Sequence, residues 1–336
     1  MLDIMRPSIS HETQYRELLK SRGLSTEAIE KAVIRCVEYI KFLESNNVSL
    51  EESSVEDVKK FVKNLMDSGQ NTLDRIDAVC MYTNTLGYLD QYLYLAQMVG
   101  GSPLYQSYLE RTREIAGKEA TDKVFGSMTL PPVGSTAEEF PEYTREMMNR
   151  MTTELCKEDR VKILAGNHHN RSPQSFEKKR RLYEESKTLD EFLKRDHERV
   201  VELLEQHMKE GRLWYRKMVT QEFLDYIESD QERLSARRIG DKLYIKQIPY
   251  EFEEYLAETD PEKKRYHYCH CHLARRSILE GNPVPSEFCH CSGGYLKHPY
   301  DYIFGGELEV EVLQSAMAGD MECRFTVKLP ENWRGK

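Results

Sequence analysis

The stretch "GELEVEVLQSAMAGDMECRFTVKLP" (306–330) decides the fold class. "GELEVEVLQS" (306–315) and "ECRFTVKLP" (322–330) each alternate apolar and polar residues, the period of a half-buried strand. Between them lies "AMAGD", with Gly319-Asp320 as turn residues, so the stretch predicts an antiparallel hairpin. "DKLYIKQIPY" (241–250) alternates in the same way and supplies a further strand.

Upstream the period is helical. "STEAIEKAVIRCVEYIKFLESNN" opens on a Ser25 N-cap and puts Ile29, Val33, Val37 and Ile40 on one stripe. "SVEDVKKFVKNLMDSG" (54–69) opens on Ser54 and Asp57 and stops at Gly69. "TLDEFLKRDHERVVELLEQHMKEG" (188–211) has a Thr188/Glu191 capping box and ends at Gly211, and "LWYRKMVTQEFLDYIESD" (213–230) is expected to form another helix. Helices first and a small antiparallel sheet last predict an α+β fold: an all-helical module over 1–100, a boundary near "VGGSP" (99–103), and an α+β domain over 105–336.

Composition narrows the function. The 336 residues carry 48 Lys/Arg against 57 Asp/Glu, a net charge of −9, which argues against a broad nucleic-acid footprint and leaves a local basic patch as the route to one. No apolar run approaches the roughly 20 residues of a membrane span. The opening "MLDIMRPSISHETQ" lacks a signal-type apolar segment, so a cytoplasmic location and no membrane partner are expected. In a reducing compartment, clustered cysteines act more often as metal ligands or reactive thiols than as disulfides.

Four of the eight cysteines sit in two Cys-His-Cys tripeptides, in "RYHYCHCHLARR" (265–276) and "SEFCHCSGGYLK" (286–297). If each tripeptide is extended, Cys269 and Cys271 share one face and Cys289 and Cys291 another, with His270 and His290 on the opposite sides. Two such pairs supply four thiolates, a closed tetrahedral set for zinc. Cys323 is a fifth candidate and His267 a substitute ligand. Zinc is therefore the expected cofactor, with Cys269, Cys271, Cys289, Cys291 and Cys323 as metal candidates. His270 and His290 are candidate acid/base groups if the site is catalytic. "CHLARRSILEG" can instead begin a helix at His272.

The stretch "FCHCSGGYLKHPYDYIFGGELEVEVLQSAMAGDMECRF" resembles the C-terminal half of the 4-vinyl reductase-type small-molecule-binding domain found in zinc-containing aromatic sensors. Cys289 stands six residues before Tyr295, Gly305 ten after it, and Gly319-Asp320 and Cys323 match the family's turn and final Cys. The family's penultimate Cys falls on Ser315 and its acidic ligand on Val312, with Glu311 one residue off, so only Cys289 and Cys323 carry over. Cys269, Cys271 or Cys291 would then replace the missing ligands. The resemblance implies a small-molecule ligand, with Tyr295 as a candidate contact; Arg275 and Arg276, which follow the first Cys-His-Cys, are candidates to pair with a ligand carboxylate or lie on a solvated helix face, and a homodimer is compatible with this reading. "GDMECRF" also looks like the tail of hydrolases that open 2-aminothiazoline-4-carboxylate rings, which keeps a hydrolase or lyase using a Cys or zinc-bound water as an alternative.

At the other end, "GLSTEAIEKAVIRCVEYIKFLESNNVSLEESSVEDVKKFVKNLMDSGQNTLDRIDAVCMYTNTLG" resembles the helical core-binding domain of tyrosine recombinases, and a DNA-binding accessory role is a second alternative. Residues 1–100 hold 11 Lys/Arg against 15 Asp/Glu, and no recombinase Arg, His-x-x-Arg and Tyr set follows. His168-His169 in "AGNHHNRSP" are placed to reach the cysteines or to lie in a polar loop. Tyr300, Tyr302 and Phe304 alternate, either lining a pocket or filling core.

Overall fold

The computed structural model describes residues 8–215, 218–331 and 333. The chain forms two compact units: residues up to Gln106 with Thr129–Tyr143, and Ser107–Met128 with the residues from Thr144 onward. The fold is α+β, with helices first and one four-stranded antiparallel sheet toward the C-terminus.

The first unit is helical: α1 (Glu12–Ser21), α2 (Thr26–Ser45), α3 (Val55–Asp67), α4 (Leu73–Leu86) and the first part of α5 (Leu89–Phe125). Its caps are those expected. Ser25 accepts from the Ala28 N–H, and the Asp57 carboxylate accepts from the Ser54 N–H. Tyr15, Cys36, Tyr39, Ile76, Cys80 and Tyr82 are fully buried in its core. Cys36 and Cys80 behave there as small hydrophobes. Residues 99–103 lie inside α5 rather than at a break between helices. Gly101 packs against the Phe140 ring so closely that a Cβ would overlap it, and the helix runs on through Pro103.

The second unit holds the rest of α5, which leaves helical geometry at Gly117 (φ 81°), and, from Thr144 on, α6 (Phe140–Glu154), then α7 (Lys157–Leu164), α8 (Glu177–Glu185), α9 (Leu189–Lys209) and α10 (Gln221–Glu228). The helix expected over 213–230 is only α10, capped by Thr220 at the Phe223 N–H; residues 216–217 lie outside the described set. Then come β1 (Arg237–Ile239), β2 (Lys242–Lys246), α11 (Phe252–Ala257), α12 (Pro261–Tyr268), α13 (His290–Phe304), β3 (Val310–Gln314) and β4 (Arg324–Lys328), in sheet order β1-β2-β4-β3. The expected hairpin is β3–β4, with Val310 opposite Val327 and an irregularity between Val312 and Gln314. A short 3-10 turn, Ala316–Ala318, and Gly319 (φ 106°) close it, and Asp320 accepts from the Ser315 N–H.

Helix α13 packs on the sheet through a pair of glycines. A Cβ at Gly293 would lie 2.9 Å from Val310 Cγ2, and one at Gly294 would lie 2.5 Å from the Ala165 carbonyl oxygen. Glycine at these two places lets the helix start touch both β3 and the loop after α7.

Candidate metal centre

The first Cys-His-Cys follows α12. Asp260 caps that helix through the Glu262 and Lys263 N–H groups, Pro261 occupies its first turn, and Cys269 ends it with extended backbone (φ −70°, ψ 124°). The second tripeptide is not a strand, as the sequence suggested, but a helix start. Residues 286–289 form a 3-10 turn and α13 begins at His290. In a helix, residues i and i+2 diverge by about 200°, so Cys289 and Cys291 do not share a face.

The two cysteines accordingly take different partners. Cys269, Cys271, Cys289 and Cys323 line one small enclosed cavity of about 10 Å³, room for a single water- or ion-sized sphere. Phe288, Met317 and Phe325, all buried, complete its walls. Cys291 turns away, and its sulfur accepts from the Tyr108 hydroxyl at 2.9 Å.

The Ala316 N–H donates to Cys323 Sγ at 3.4 Å. The backbone at Cys271 and Leu273 and the Ser315 side chain favour the thiolates of Cys269, Cys271 and Cys289 respectively, while burial opposes them more strongly. Burial pushes the Cys289 thiol to about 12 and the Cys291 thiol to about 11, and it raises those of Cys269, Cys271 and Cys323. The neighbouring sulfurs also raise one another, because ionising one disfavours ionising the next. Among the described residues, no three Cys, His, Asp or Glu side chains converge as a ready-made ligand set; the thiols line the cavity wall. The donor set and the cavity size nevertheless fit one soft divalent ion.

The remaining candidates lie around this cavity rather than on it. His270 Nε2 bonds the Ile248 carbonyl at 2.6 Å, and His290 Nδ1 bonds the Glu287 carbonyl at 2.9 Å. His267 is held by Glu251 at 2.6 Å. Arg275 is buried, sandwiched by Tyr250 (4.5 Å) and Tyr266 (4.0 Å) and paired with Glu251 at 2.6 Å; its charge favours the Cys269 thiolate. Arg276 is exposed. Tyr295 is 39% exposed and stacks under Arg171 at 4.3 Å. Ser315 sits beside Cys289, and Glu311 pairs with Lys242 at 2.7 Å on the sheet surface. Tyr300, Tyr302 and Phe304 lie on α13, not on a strand, and contact Lys179, Glu177 and Tyr183 respectively.

Two features escaped the sequence reading. One is the Tyr108–Cys291 bond, which joins residues far apart in the chain. The other is a cleft of about 370 Å³ between the Ser107–Glu114 face of α5, residues 166–168 and α13. His168 lines this cleft, not the cysteine cavity. A polar stripe at Ser107, Glu110, Arg111 and Glu114, spaced i, i+3, i+4 and i+7, was the signal for its α5 wall.

No family model matches this chain, and neither a curated protein nor a solved structure is found that matches it.

Proposed function

We propose that this protein binds zinc through Cys269, Cys271, Cys289 and Cys323 and serves as a small-molecule-binding protein built around that staple. The carrying observation is that four thiols, one of them accepting from the Ala316 N–H, line a cavity of ion size. Donors to ligating sulfurs orient them and offset their charge, the usual accompaniment of a metal–thiolate site. Four sulfurs without a further ligand position favour a structural role for the ion. The ion would tie the end of α12, the start of α13 and the approach to β4 into one unit, and Arg275 would offset the excess negative charge. The ligands would lose their protons on coordination, and the ion's positive charge would offset the repulsion among the resulting thiolates.

Elemental analysis of protein purified under reducing conditions from zinc-supplemented cells tests this. About one zinc per chain is expected, lost in Cys269→Ser/Cys323→Ser and retained in Cys36→Ser. Wild-type protein without zinc overturns the reading. No described helix is long and apolar enough to cross a membrane. In the N-terminal unit, Lys59, Lys60 and Lys63 pair with Glu56, Asp57 and Asp67, which leaves little free positive charge on α3 for DNA.

A further inference from the structure

Away from the cysteine cavity, a hydroxyl and an imidazole meet at the edge of open space. Ser107 Oγ lies 2.9 Å from His168 Nδ1. Both residues line the cleft of about 370 Å³ between α5, residues 166–168 and α13, a volume typical of ligand sites. Ser107 is half-buried in that wall, whereas His168 is only 6% exposed.

The imidazole is fixed in place. Its Nε2 lies 2.7 Å from the Ile163 carbonyl, which can only accept, so the proton of the neutral ring sits on Nε2. Nδ1 is then an acceptor, and the Ser107 hydroxyl gives it its single proton. The Tyr108 ring packs on the imidazole at 4.1 Å, and a Cβ at Gly166 would lie 3.1 Å from Nε2. Nucleophile, base and orienting acceptor follow one another through two hydrogen bonds. A backbone carbonyl takes the place that a carboxylate holds in Ser-His-Asp sites.

Burial holds His168 well below its usual range, at about 4, and the bond to Ile163 offsets this only in part. The ring is neutral at physiological pH, with Nδ1 ready to accept, but it is a weak base. A weak base suffices for attack on a carbonyl that already carries a good leaving group, a thioester or an aryl ester, and not for an amide. Arg111 follows Ser107 by four residues on α5, so the two share a helix face, and it lines the same cleft. Its positive charge reaches the imidazole and helps to lower it. Glu307, at 2.7 and 2.8 Å, and Glu114, at 3.1 Å, hold the guanidinium still. They also offset part of its charge, so it gives an oxyanion moderate support, a second reason for an activated acyl group.

We propose that Ser107 and His168 form a nucleophile–base pair with which this protein hydrolyses small thioesters or activated esters bound in the cleft. Ser107 Oγ attacks the carbonyl carbon while its proton passes to His168 Nδ1. The bond from that carbon to the leaving sulfur or oxygen then breaks, and the leaving group takes the electron pair and the proton from Nδ1. Water next gives a proton to Nδ1 and attacks the acyl-Ser107 ester. The carboxylic acid leaves as the proton returns to Ser107 Oγ. The sequence needs only the ester and water. It goes beyond the zinc reading and shares no residue with the cysteine cavity.

Incubation of the full chain with p-nitrophenyl acetate tests it, read by p-nitrophenolate release and by mass spectrometry of the Ser107 peptide. Ser107 is expected to exchange its hydroxyl proton for an acetyl group. The same is expected in Cys156→Ser, which removes an exposed thiol that the ester also modifies. In His168→Gln, whose amide still donates to Ile163, acetylation of Ser107 should slow about a hundredfold. Far-UV circular dichroism accompanies the rates, and His168→Asn takes the place of a His168→Gln that fails to fold. Wild-type protein whose Ser107 stays unmodified overturns the proposal, and so does acetylation as fast in the His168 variant as in wild type. Zinc content is measured separately, so either failure leaves the zinc reading standing.

Discussion

Replacing Gly294 with Ala tests how α13 is seated. The added Cβ would lie 2.5 Å from the Ala165 carbonyl oxygen, 2.6 Å from its carbon and 2.8 Å from its Cα. All three are backbone atoms, so no side-chain rotation relieves the overlap. The loop after α7 or the helix start must move. Overpacking of this kind costs about 1–3 kcal/mol, and the better helix propensity of alanine returns at most about 1 kcal/mol. A net loss of about 1–2 kcal/mol is expected.

Two companions calibrate the figure. At Gly293 the Cβ would meet the Val310 and Phe325 side chains at 2.9 and 3.3 Å, which can yield, so Gly293→Ala should cost less. Gly306 has no atom within 4 Å of an added Cβ, and Gly306→Ala should stay within about 0.5 kcal/mol of wild type. Denaturant unfolding gives the order Gly294→Ala, Gly293→Ala, Gly306→Ala from most to least destabilised. Hydrogen exchange adds a local readout, because the amides of residues 164–169 should lose protection in Gly294→Ala alone. A Gly294→Ala protein as stable as wild type, with that segment unchanged, would refute the close approach and with it the seating of the cleft floor.

Gly100 and Gly101 are adjacent in α5 and should respond oppositely: Gly100→Ala, with open space around it, gains about 0.5–1 kcal/mol by thermal unfolding, and Gly101→Ala loses stability against the Phe140 ring. Asp196 is fully buried between Lys179 and Arg199, both at 2.9 Å, so Asp196→Asn should cost about 3 kcal/mol or more; a loss under about 1 kcal/mol would show the pair to be dispensable. His168 should shape the acid limb of stability. Its folded value is about 4 against an ordinary 6.5, so the unfolded chain binds the proton first. Stability is then complete above pH 6.5 and falls by about 3 kcal/mol as the pH drops from 6.5 to 4. His168→Gln, whose amide can still donate to Ile163, should flatten that part of a pH series of unfolding curves.

The parts of this fold legible in the sequence are those fixed by neighbours in the chain. The β3–β4 hairpin follows from alternation on both sides of Gly319-Asp320, and the starts of α2, α3 and α9 follow from Ser25, Ser54 and Thr188, each acting within three residues of itself. The second Cys-His-Cys was misread for the complementary reason. "CSGGY" has the composition of a turn, and nothing local marks it as a helix start. What makes it one is tertiary: Val310 and Phe325 on one side and Ala165 on the other press so closely that only glycines fit at 293 and 294. Low helix propensity at these positions is the consequence of that packing.

The same reversal reorganises the cysteine cavity. Had both tripeptides been extended, their four cysteines would have faced one another as equivalent pairs, with Cys323 in excess. Because Cys289 begins a helix, Cys291 is carried round to Tyr108, and the fourth place at the cavity passes to Cys323, delivered by the hairpin the sequence did reveal. The histidines between the cysteines each place a ring nitrogen on a backbone carbonyl, Ile248 for His270 and Glu287 for His290. A tripeptide repeated in sequence is thus used in two conformations, and its second copy divides its sulfurs between the cavity and Tyr108. Tyr108 in turn packs against His168 at 4.1 Å, so one side chain touches both the fifth sulfur and a wall of the cleft. Tyr108→Phe, which keeps the ring and removes the bond to Cys291, separates the packing on His168 from that bond.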